Sequence, residues 1–65
     1  MNREQAILAL LAGCKVQGAD WWCTDLVLTY DPDDKKAFIL RGPDGFRKTY
    51  HFYMDPPDQK WKVVD

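Results

Sequence analysis

Residues 23–41 read Cys23-Thr24-Asp25-Leu26-Val27-Leu28-Thr29-Tyr30-Asp31-Pro32-Asp33-Asp34-Lys35-Lys36-Ala37-Phe38-Ile39-Leu40-Arg41. From Cys23 to Tyr30 the side chains alternate, with Leu26, Leu28 and Tyr30 to one side and Val27 and Thr29 to the other. Such a period of two is that of a half-buried strand. Asp31-Pro32-Asp33-Asp34 is turn chemistry, since proline presets a turn dihedral and aspartates bond local backbone. Lys36 to Arg41 resumes the alternation, Phe38 and Leu40 against Ala37 and Ile39. The stretch predicts two adjacent antiparallel strands.

Further strands are expected on both sides. Gly42-Pro43-Asp44-Gly45 carries the Asp-Gly pair of a tight hairpin. Phe46 to Met54 then reads as the longest strand, with Phe46, Lys48, Tyr50, Phe52 and Met54 opposed to Arg47, Thr49, His51 and Tyr53. Pro56 and Pro57 interrupt pairing because each lacks a backbone donor, and Trp61 to Val64 forms a last short strand. Upstream, Cys14 to Gln17 makes a brief extended segment that Gly18 ends, and Gly18 to Trp22 is a loop. Before it Asn2 and Gln5 have the spacing of a reciprocal helix cap. Ile7, Leu8, Leu10 and Leu11 lie on a broad apolar helix face, and Gly13 supplies a left-handed stop. So short a helix needs a sheet to lie on. The fold expected is α+β, one domain over residues 1–65, with a short N-terminal helix packed on a small, mainly antiparallel sheet of three to five strands.

The chain has 65 residues and a formal net charge of -1. It therefore lacks the global positive field of a general nucleic-acid binder. The apolar run from Ala6 to Ala12 is too short for a membrane span or a secretory signal, so a cytoplasmic protein is expected. Cys14 and Cys23 have no second pair and no clustered histidine, which rules out a four-ligand zinc site; two partly buried free thiols are expected. There is no serine, no phosphate-binding glycine loop and no metalloprotease motif. Cys23 with His51 is the one nucleophile and base pair that can be drawn, and nothing in the sequence places the two together. Asp31, Asp33 and Asp34 resemble a fragment of a calcium loop but lack its glycine and bidentate glutamate. No catalytic residue, cofactor or metal is expected.

Three tryptophans, three tyrosines and three phenylalanines are many for so short a chain. A domain this small buries only about 60% of its unfolded surface, room for about a dozen large side chains. Leu8, Leu11, Leu26, Leu28, Phe38, Leu40, Phe52 and Val63 compete for that room. Some aromatic residues should therefore face a ligand or partner, although one of Trp21 and Trp22, together with Trp61, could equally staple the core. Which of the adjacent pair points inward is left open. Aromatic faces stack on heterocyclic bases, and arginine and lysine clamp phosphates. The candidate binding set is Trp21, Trp22, Tyr30, Arg41, Arg47, Lys48, His51 and Tyr53. A sheet face mixing Arg47, Thr49, His51 and Tyr53 with Val27, Thr29 and Ile39 suggests a binding or dimerisation surface, and a homo-oligomer is expected.

The order Ala6-Ile7-Leu8-Ala9-Leu10-Leu11-Ala12-Gly13, Lys15-Val16, Trp21 or Trp22, Asp44-Gly45 and Trp61-Lys62-Val63-Val64 resembles a group of small phage and prophage proteins. Some of that group are similar to the Thoeris anti-defence sponges, which oligomerise and sequester cyclic ADP-ribose signals. The resemblance implies stoichiometric binding of a nucleotide-derived signal in the host cytoplasm. Trp21 or Trp22 would stack on the ligand, and Arg41, Arg47 or Lys48 would meet its pyrophosphate. The alternative is an inhibitor of a host protein, an anti-CRISPR or other host-takeover factor, acting through Trp21, Trp22 and Tyr53. Sequestration calls for cations converging on a concave site, inhibition for a flatter apolar patch with acidic residues at its rim.

Overall fold

In a computed structural model, which describes residues 1–23, 25–33 and 37–64, strand β1 (Lys15–Gly18) lies between the last strand and the second. The order across the sheet is β4 (Arg47–Thr49), β3 (Ala37–Arg41), β2 (Val27–Asp31), β1, β5 (Trp61–Val64), and every pairing is antiparallel. One helix, α1 (Arg3–Leu11), packs over β1, β5 and β2. The expected α+β class and sheet are present.

The helix begins where its cap directs. The Asn2 side chain accepts from the Gln5 N–H at 2.9 Å and the Gln5 side chain accepts from the Asn2 N–H at 3.0 Å, so two of the first-turn donors are satisfied reciprocally. Gly13, at φ 95°, turns the chain out of the helix, a conformation that costs glycine nothing. The broad leucine face is corrected, however. Ala6 and Leu10 are the buried helix positions, while Leu8 is 66% exposed and Leu11 is also exposed. Val63 is likewise exposed, and Leu26, Phe38 and Leu40 are half-buried.

Rings occupy the space those side chains would have taken. Phe52 lies 5.2 Å from Phe38, Tyr50 and Trp61, centroid to centroid, and Trp21 lies 5.7 Å from Trp61. With Tyr30 against Phe38 at 5.5 Å, six aromatic residues form a continuous layer beside Ala6, Leu10, Val16 and Leu28. Edge-to-face pairs of this kind add attraction beyond burial alone. The surplus of aromatic residues is mostly structural.

The longest expected strand is also corrected. Pairing with β3 spans Arg47–Thr49, and Phe52–Met54 is a 3-10 turn. The turn swings the Phe52 ring into the core and leaves Tyr53 and Met54 exposed, so burial of one large ring ends the ladder before the prolines do. Gly18 is the last residue of β1 rather than its breaker, and the strand placed over 23–30 is observed at Val27–Asp31. Thr24, Asp34, Lys35 and Lys36 fall outside the described residues, and with them the start of the strand expected from Lys36 and part of the aspartate cluster; Asp31 itself accepts from the Asp33 N–H in a local turn.

Register divides the sheet faces. Val63, Val16, Leu28, Leu40 and Lys48 lie across from one another on the helix side. Gln17, Thr29, Ile39, Thr49, Arg41 and Arg47 lie on the other side. There, on the face away from α1, Ile39 is only 1% exposed. Arg47 reaches Asp31 at 3.2 Å, and since the two stand one rung below and one rung above Ile39 on the flanking strands, this pair straps across it.

Candidate functional site

The loop between β1 and β2 builds the most site-like feature. Trp21 N–H donates to the Gly18 carbonyl at 3.1 Å, and Ala19 N–H to the Lys60 carbonyl at 2.9 Å. These bonds fold the loop back over its own strand. The indole of Trp21 then lies on Gly18 so closely that a β-carbon there would stand 2.1 Å from its Nε1. Consecutive side chains in such a turn diverge, so placing Trp21 inward sends Trp22 outward, where it is 96% exposed.

Below Trp22 is a groove of about 260 Å³ lined by Asp20, Trp21, Trp22, Cys23, Leu26 and Leu40. Its floor follows from register, as Leu40 in β3 lies beside Leu28 on the helix-side face, while α1 packs chiefly over β1, β5 and β2. Phe46 extends the apolar surface: it is exposed, and it and Leu26 both crowd the open side of Gly42. Strand order puts Lys48, across from Leu40, on the β4 flank of this groove, while Asp20 lies on the loop flank, accepting from Gln59 Nε2 at 2.6 Å. The groove is an apolar slot with one charge of each sign at its sides.

The eight residues singled out in the sequence do not gather in one place. Trp21 and Trp22 form the groove wall and Lys48 flanks it. Tyr30 packs on Phe38 beside the core. Arg41 and Arg47 lie on the opposite sheet face, where Arg41 Nε donates to Thr29 Oγ1 at 3.1 Å and Arg47 pairs with Asp31. The His51 and Tyr53 rings lie 5.5 Å apart in a tilted arrangement beyond the end of β4, both exposed. The pairing of Cys23 with His51 finds no support, since the two stand on separate loops; Cys23 is exposed rather than partly buried, and both thiols are free. Among the described residues no cluster of histidine, cysteine and carboxylate side chains could hold a metal, and no helix is long and apolar enough to cross a membrane.

Sequence reasoning missed Asp20, Leu26 and Leu40, which line the groove with Trp22, and Phe46, which extends its apolar surface. Asp20 and Leu26 belong to the same loop as Trp22, whereas Leu40 and Phe46 reach the groove through the pairing of β3 with β2 and β4. A second polar cluster, Tyr50 with Asp55 and Arg3, ties distant segments together: Tyr50 OH donates to Asp55 Oδ2 at 2.5 Å and Arg3 donates to the Asp55 carbonyl at 3.2 Å. Burial first, then the hydrogen bond to Asp55 and its negative charge, push the Tyr50 phenol up, while Arg3 opposes them. Compared with known protein families, curated proteins and solved structures, the chain matches none.

Proposed function

We propose that this protein acts by binding another protein, without catalysis, through the groove beneath Trp22. The observation that carries this reading is that both arginines of the expected nucleotide clamp lie away from the indoles, which leaves Lys48 alone of its three cations beside the groove. The indoles line an apolar slot while both arginines are engaged on the far sheet face. The slot, about 260 Å³, lies at the small end of ligand clefts, which run to roughly 1,000 Å³, and suits one inserted side chain. An exposed tryptophan with apolar neighbours and a carboxylate at the rim is the anatomy of a protein-contact patch. The alternative reading, an inhibitor of a host protein, therefore fits better than the nucleotide sponge that the phage resemblance implies.

The test compares wild type, Trp22→Ala and Arg47→Ala as affinity baits in a bacterial host lysate, beside a thermal-shift panel of adenine nucleotides, cyclic oligonucleotides and ADP-ribose isomers. The expected result is one stoichiometric protein partner retained by wild type and Arg47→Ala and lost by Trp22→Ala, with no nucleotide shift. A midpoint rise of several degrees with one nucleotide class, abolished by Arg47→Ala, would instead establish sequestration.

A further inference from the structure

We infer that in the absence of its partner the protein covers this groove with a second copy of itself, Trp22 of each chain seated in the groove of the other. The inference rests on the same patch being a binding surface, but not on who the partner is. A two-fold interface must carry a projection and its matching recess on one surface, displaced to either side of the axis. This patch carries both. Trp22 projects from the loop flank at 96% exposure, and the recess floored by Leu26 and Leu40 opens beside it.

Charge follows the same symmetry. Asp20 lies on the loop flank and Lys48 on the β4 flank. A two-fold rotation that carries each Trp22 across to the opposing recess also carries each Asp20 towards the opposing Lys48, giving two compensating pairs at the rim. Phe46, on the same flank as Lys48, meets the outer edge of the incoming indole. The surface is thus complementary to itself in shape and in sign. Burying two indoles, each up to about 250 Å², with the recess walls falls short of the roughly 1,200 Å² of stable specific interfaces. Association should therefore be weak, with a Kd of about 1–100 μM, which leaves the surface available to a tighter partner.

Sedimentation equilibrium on the purified protein, from about 1 to 500 μM to bracket that range, tests the inference. Wild type should pass from monomer to dimer across the series. Trp22→Ala should remain monomeric while keeping its circular dichroism spectrum, as an exposed side chain contributes little to the fold. Asp20→Lys and Lys48→Asp should each weaken association at least 10-fold, and mixing the two in equal amounts should restore a heterodimer. A wild type that stays monomeric throughout, or a Trp22→Ala variant that dimerises as well as wild type, would overturn the proposal. So would a charge-reversed mixture that fails to associate. Because no second protein is present, none of these results depends on the function proposed above.

Discussion

Gly18 shows how one missing side chain arranges a site. Its backbone pairs with Trp61 on the helix-side face, and the Trp21 indole lies where a side chain would stand. A methyl group added there meets the ring at 2.1 Å, so Trp21 must leave its edge-to-face contact with Trp61 or the strands must separate. Gly18→Ala is therefore expected to destabilise the fold by about 1–3 kcal/mol, the usual cost of overpacking, measured as a lowered denaturation midpoint. An unchanged midpoint would mean that Trp21 is not held against the strand. Nothing in the dipeptide Trp21-Trp22 itself distinguishes the two rings. Their fates are set by Gly18 three residues upstream, which as a sequence letter reads simply as a loop residue.

At the level of elements, the sheet face away from the helix is crossed by a strap. Ile39 is buried beneath the diagonal from Arg47 to Asp31. Exposed ion pairs contribute only about 0–1 kcal/mol, whereas deleting most of a buried isoleucine costs about 2–5 kcal/mol. Ile39→Ala should accordingly destabilise several times more than Arg47→Ala, as read by urea titration of both variants; equal losses would show that the charge pair, not the burial, holds these strands. Local signals made these elements legible. Alternation from Leu26 to Tyr30 and from Ala37 to Arg41, the Asn2 and Gln5 cap and the Gly13 stop each have a near neighbour as cause. What was not legible has distant causes. The strand through Met54 failed because Phe52 turns into a core built partly by Trp61, and the leucine face of the helix failed because aromatic rings had already filled the layer beneath it. The site divided in the same way: Trp22 could be suspected from composition, but Leu40 and Phe46 join the groove only through register.

Across the whole molecule, Tyr50 links parts that lie far apart in the chain. Its ring packs on Trp21, Phe52 and Trp61, its hydroxyl donates to Asp55, and Arg3 at the start of the helix holds the Asp55 carbonyl. Nearby, the Met1 amine donates to the Trp61 carbonyl and the Trp61 N–H donates to the Met1 carbonyl, each at 2.8 Å, so the N-terminal residue covers the outer edge of β5 where that strand begins. Ionising Tyr50 would place a phenolate beside a carboxylate in this seam. Burial and Asp55 raise its pKa in the folded state, so the native protein holds the phenolic proton more tightly than the unfolded chain, whose tyrosines titrate near about 10. The stabilisation is complete below that pH and is lost as pH climbs through the higher folded value, because the unfolded state releases its proton first. Stability of the wild type should therefore fall above about pH 10 more steeply than that of Tyr50→Phe, which keeps the ring but has no proton to lose. Denaturation midpoints at a series of alkaline pH values measure the difference. Parallel decline of the two proteins would show that the Tyr50 hydroxyl does not join the 50–55 segment to the helix and β5.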